Sequence, residues 1–115
     1  MIKINVIPHN QQRYPTVGDY YYDSDGNLQI NISKQSNKFY EYLIAIHELC
    51  EVCLTEHKGI PEEIITMFDL ENPQLDDPGS SPLAPYHREH MASLEIEKFL
   101  CEEMGLNWDD YENNL

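Results

Sequence analysis

Within His47-Glu48-Leu49-Cys50-Glu51 an imidazole and a carboxylate stand four residues apart. On a helix that spacing leaves them about 40° apart, one turn above the other, so both side chains can reach a single divalent ion. Glu48 falls about 100° around from His47, close enough to touch a water at such an ion without ligating it, which is where a general base would stand. The nitrogen and oxygen donors suit zinc, and the carboxylate widens the choice to manganese or iron. Without a further donor the same residues would be only the solvated edge of an amphipathic helix.

A second source of donors lies in Tyr86-His87-Arg88-Glu89-His90. Two histidines three residues apart point to roughly the same side of a helix, and Leu94 and Cys101 fall near the same stripe, so this face is expected to look inward. His90 is the expected third ligand, with His87 as a fourth ligand or as a partner that orients one. The plainer alternative is one exposed histidine and one satisfied core histidine. Glu89 and Glu95 are further oxygen donors, but Glu89 lies about 100° from His90 on the helical wheel and ranks lower.

Other residues offer weaker chemistry. Cys50 and Cys53 form a Cys-x-x-Cys in mid-helix, without the helix N-terminus that stabilises a thiolate, so core packing is expected, with Cys50 a reserve ligand. Asp23, Asp25 and Asn27 read as a turn, because Gly26 and the absence of a later glutamate do not fit a calcium loop. Glu48 and Glu51 with Glu95 or Glu102 could hold magnesium, as in all-helical nucleotide pyrophosphohydrolases, but the strands and histidines fit that arrangement poorly. The sequence has no glycine-rich phosphate loop or serine-nucleophile motif.

The elements that must position these residues follow from periodicity. Residues 2–7 place Ile2, Ile4 and Val6 on one face, the period of a half-buried strand, and residues 18–23 and 28–33 read as two more strands around a hairpin turn. The expected fold is α+β, a small antiparallel N-terminal sheet of about three strands followed by two long helices and a short one. The long helices span residues 39–58, with Gly59 as the stop, and 86–104, closed by Gly105; the short one starts at Pro61 and runs to about Phe68. Residues 69–85 hold four of the seven prolines and read as a long surface loop of the kind that often carries function. Residues 106–115 form a tail that either docks through Trp108 and Tyr111 or frays.

At 115 residues the chain is expected to be one domain, 1–115, with one core. A hydrophobic fraction of 41% with eight tyrosines favours a folded domain over disorder. Seven basic against 21 acidic residues give a net charge of −14, which repels phosphate backbones and anionic membranes and excludes direct nucleic-acid binding. Three cysteines argue against a disulfide framework, and no signal-like apolar run opens the chain, so a soluble cytoplasmic protein is expected.

The run Leu43-Ile-Ala-Ile-His-Glu-Leu-Cys-Glu-Val-Cys-Leu54 resembles the active helix of zincin metallopeptidases, whose motif is His-Glu-x-x-His between apolar residues. Carried over residue by residue, the resemblance implies His47 as first zinc ligand and Glu48 as general base, with a zincin-like fold. Glu51 stands where the second histidine would be, and an anionic ligand lowers the Lewis acidity that a peptidase needs. The wider pattern, a small sheet, this helix, then Asp76-Asp77-Pro78 through Pro85-Tyr86-His87-Arg88-Glu89-His90, resembles small bacteriophage- and prophage-encoded proteins of no assigned activity, which implies a host-cytoplasm setting. Two functions stand as expectations: a metal-dependent hydrolase or peptidase acting on a peptide through metal-activated water, and a non-enzymatic acidic protein that binds a host protein, its metal structural or absent.

Overall fold

Leu28, Ile30 and Ile32 alternate with Gln29 and Asn31, and in the computed structural model, which describes residues 1–115, they form the central strand of a three-stranded sheet. The strands are β1 (Ile2–Ile7), β2 (Gly18–Tyr22) and β3 (Leu28–Ser33), in the order β1-β3-β2. The β2-β3 hairpin is antiparallel as expected, with Gly18 opposite Ile32 and Tyr22 opposite Leu28. The sheet as a whole is mixed rather than antiparallel, because β1 pairs with β3 in parallel, Ile2 opposite Leu28 and Ile7 opposite Ser33.

The connection from β1 to β2 accounts for that difference. It must cross the end of β3, and it is tied there by polar side chains: His9 Nδ1 lies 2.8 Å from the Ser33 hydroxyl, and Gln12 donates to the Asn31 carbonyl at 3.1 Å and to the Ser33 hydroxyl at 3.1 Å. Arg13, in the same connection, grips Asp19 at 2.7 and 2.9 Å and Glu62 at 2.8 Å, fixing the start of β2. None of these contacts leaves a trace in hydrophobic periodicity.

Helix α1 (Lys38–His57) lies over β3 and β2, burying Leu43, Ile44 and Val52 against Ile30 and Ile32. β1 sits beyond its reach, so Ile2, Ile4 and Val6 stay 60, 51 and 50% exposed, and the apolar face expected to be buried is open. Asn37 caps α1 by accepting from the Phe39 amide, and Gly59, at φ +74°, lets Ile60 N–H return to the Thr55 carbonyl. Helix α2 (Glu62–Glu71) runs three residues past the expected end, and α3 (His87–Glu103) packs along α1.

The tail is not frayed. Residues Trp108–Asn113 form a short fourth helix, α4, capped by Asn107, and its Tyr111 is fully buried against Tyr40 and Trp108. The cysteines divide: Cys101 is buried in the core, whereas Cys53 is exposed and Cys50 only partly covered, on the outer face of α1. No helix is long and apolar enough to cross a membrane.

Candidate metal centre

α1 and α3 pack side by side, and their facing stripes are unusually polar. His47 and Glu51 from α1 and His90 from α3 are all less than 9% exposed. Glu51 Oε2 lies 3.1 Å from His47 Nε2 and 3.1 Å from His90 Nδ1, and the three donor atoms all fall within 4.8 Å of one another. Bonds of 2.0–2.2 Å to a tetrahedral zinc place neighbouring donors about 3.3 Å apart, so two of the three edges are already near that length. The donor set, two imidazoles and a carboxylate, fits a zinc site with an open fourth position.

Each imidazole is held from behind by a second carboxylate. His47 Nδ1 lies 2.7 Å from Glu97 Oε1, and His90 Nε2 lies 3.1 Å from Asp77 Oδ1. With N–H groups donating to Glu97 and Asp77, the opposite ring nitrogens face Glu51; they donate to it while the rings are protonated and become ligand atoms once those protons leave, the orientation that metal-binding histidines need. Glu97 is buried and also accepts from the Tyr111 hydroxyl, while Asp77 sits in the loop between α2 and α3 with its side chain 52% exposed.

The charges fit the same picture. Burial opposes protonation of His47, but hydrogen bonds to Glu51 and Glu97 outweigh it and raise its pKa to about 11. For His90 burial is likewise outweighed by Asp77 and Glu51, which raise it to about 9. Burial alone would raise Glu51, yet the two histidines pull it below the ordinary carboxylate range. Glu48 goes the other way: burial and the neighbouring Glu51 charge push its carboxyl group up. Without a metal the centre is therefore a protonated, ion-paired network, and a divalent ion would take the place of imidazole protons.

Two glycines make room for the functional side chains. A Cβ at Gly18 would lie 2.6 Å from Glu48 Oε1 and 2.9 Å from Ile44 Cγ2, so β2 can press against Glu48 only because residue 18 has no side chain. A Cβ at Gly79 would lie 2.4 Å from His90 Cγ. Both residues line a cavity of about 830 Å³ that contains His47, Glu48, Glu51 and His90, and whose other charged walls are Asp19, Asp69, Asp76, Asp77, Glu97 and Glu112, with no lysine or arginine. Asp69 is clamped there between the hydroxyls of Tyr14, at 2.8 Å, and Tyr86.

Of the residues expected at the site, the structure brings together His47, Glu51 and His90, with Glu48 on the same cavity wall. His87 is not in the donor group; its Nδ1 lies 2.9 Å from the Gly79 carbonyl, where it holds the loop that packs on His90. Glu89 is buried but paired with Lys58 at 2.9 Å, and Glu95 and Glu102 are exposed, outside the group. Sequence reasoning missed Glu97, Asp77 and Tyr111. Glu97 follows His90 by seven residues, two helical turns on the same face, and that spacing could have revealed it; nothing local marks Tyr111. Comparison of the chain with known protein families, curated proteins and solved structures finds no match.

Proposed function

We propose that this chain is a zincin-like, zinc-binding protein that hydrolyses a peptide-like substrate, with His47, Glu51 and His90 as ligands and Glu48 as general base. The observation that carries the reading is the convergence of three buried donor atoms from two helices, with a carboxylate behind each imidazole. Manganese or iron are the other ions the donor set admits. Bound there, the ion would supply Lewis acidity and make a water more acidic.

The chain's own residues do the rest. Glu97 and Asp77 hold the two imidazoles with their acceptor nitrogens inward. Glu48, kept protonated by burial, ionises more readily beside a cation and can then take a proton from water and return it to the leaving amine. Apart from the histidines, the charged side chains of the cavity walls are all carboxylates, with no lysine or arginine, and favour a cationic segment of substrate over an anionic one. With His90 as the third ligand the donor set is two imidazoles and one carboxylate, a combination that catalytic zinc sites use, so the charge on the ion is the same as in such sites.

Metal titration of the purified protein, followed by a peptide-library digest, tests the reading. About one equivalent of zinc and cleavage that disappears in Glu48→Gln are expected, with zinc retained in that variant and lost in His47→Ala. Zinc bound with no cleavage of any peptide would remove the hydrolase assignment, and no zinc would remove the centre.

A further inference from the structure

Glu97 is 4% exposed, and both its oxygens are committed: Oε1 to His47 Nδ1 at 2.7 Å and Oε2 to the Tyr111 hydroxyl. No lysine or arginine pairs with it. A buried carboxylate without a cationic partner is costly unless a positive centre compensates it, and a neutral glutamine could still accept from His47 and meet the Tyr111 hydroxyl as a donor, without that charge cost. The negative charge therefore has a use, and the positive centre it faces is the His47 imidazole and whatever His47 binds.

Tyr111 shows the same excess over packing needs. It is fully buried, and its ring packs edge-on at 5.0 Å from that of Tyr40 and tilted at 5.4 Å from that of Trp108, contacts a phenylalanine would make equally well. Only the hydroxyl reaches Glu97, and it comes from α4, the last helix of the chain, anchored by the Asn107 cap.

We infer that Tyr111 is a positioning residue of the metal centre, and that α4 is part of the site: its hydroxyl orients Glu97, which holds His47 as the Nδ1–H tautomer with Nε2 free for the ion. The inference rests on the metal reading of the preceding section. His90 is supported differently, by the exposed Asp77 in a surface loop.

The test uses the full-length chain with zinc. In the zinc-loaded wild type, the His47 Nδ1–H proton is expected as a slowly exchanging NMR signal. Tyr111→Phe should keep its fold by circular dichroism, yet exchange that proton with water much faster and bind zinc about tenfold more weakly, at the low end of the roughly 10–100-fold range for lost ligand support. Glu97→Gln, which can keep the bond from His47, removes the charge and can meet Tyr111 only by donating to its hydroxyl, decides the matter if Tyr111→Phe does not fold. It should lose roughly 10–100-fold in affinity. A wild type that binds zinc, beside folded variants that bind it equally with an unchanged His47 signal, overturns the relay while leaving the centre in place. A wild type that binds no metal overturns both.

Discussion

Gly79→Ala should damage the metal centre without touching a ligand. Gly79 does not adopt a positive φ, so alanine meets no backbone strain there, and the whole effect must come from space. The added Cβ would lie 2.4 Å from His90 Cγ, 2.5 Å from Nδ1 and 2.8 Å from Cδ2. Ordinary contact needs about 3.5 Å, so the ring must retreat by about 1 Å. Ligand distances tolerate only about 0.2 Å, so a shift of that size takes His90 out of the donor group. Zinc affinity, read by competition with a chromophoric chelator, is expected to fall by roughly 100-fold or more. Overpacking of this kind costs about 1–3 kcal/mol, a loss of about 4–12 °C in melting temperature for a domain of this size. The loop carrying Gly79 is held to α3 by its carbonyl contact with His87 and by Asp77 on His90 Nε2, which oppose an escape outward. A folded Gly79→Ala protein with wild-type zinc affinity would refute the assignment of His90 as a ligand in this geometry.

Other consequences follow from the same centre. Glu48→Gln should retain zinc, lose hydrolysis by roughly 10²–10⁴-fold, and melt at a higher temperature than the wild type at alkaline pH in metal-free buffer, because it removes a partly buried acid whose pKa is raised by desolvation and by the Glu51 charge; equal melting at all pH values contradicts that argument. In the metal-free protein the ion pairs of His47 and His90, raised to about 11 and about 9, are fully stabilising below the ordinary histidine range and are lost as pH rises through 9 and then 11. Metal-free melting temperature should therefore fall from about pH 6 to about pH 10, while the stabilisation by zinc, which competes with those protons, should grow as pH rises toward 9; a metal-free melting temperature that climbs over that range counts against the network. Trp108, the single tryptophan, lines the cavity. Its fluorescence should respond to a lysine-rich peptide more than to a glutamate-rich one, with the difference shrinking in high salt, and the opposite order would reverse the proposed substrate charge.

Much of the fold could be read from the sequence where a single period governs an element. Ile30 and Ile32 in β3, Leu43 in α1, and the Gly59 stop all follow from local rules. β1 shows where those rules end: its alternation is genuine, but its parallel pairing and exposed apolar face depend on a connection tied down by His9 and Gln12 and on how far α1 reaches across the sheet. The same division runs through the site. His47 and Glu51 share a helix, and His90 sits on an inward stripe, so intrahelical spacing brings them into view. Glu97 was within reach of the same argument, two turns beyond His90. Tyr111, Asp77, Gly18 and Gly79 enter the site only through tertiary packing, from a terminal helix, a loop and an edge strand, and no local pattern specifies their contacts.

The most direct test of the metal centre is elemental analysis of the wild-type protein beside His47→Ala after equilibration with excess zinc and removal of the unbound ion. About one zinc per wild-type chain and none in a folded His47→Ala protein are predicted. A wild-type protein that retains no zinc, or a His47→Ala protein that retains as much, would contradict the account.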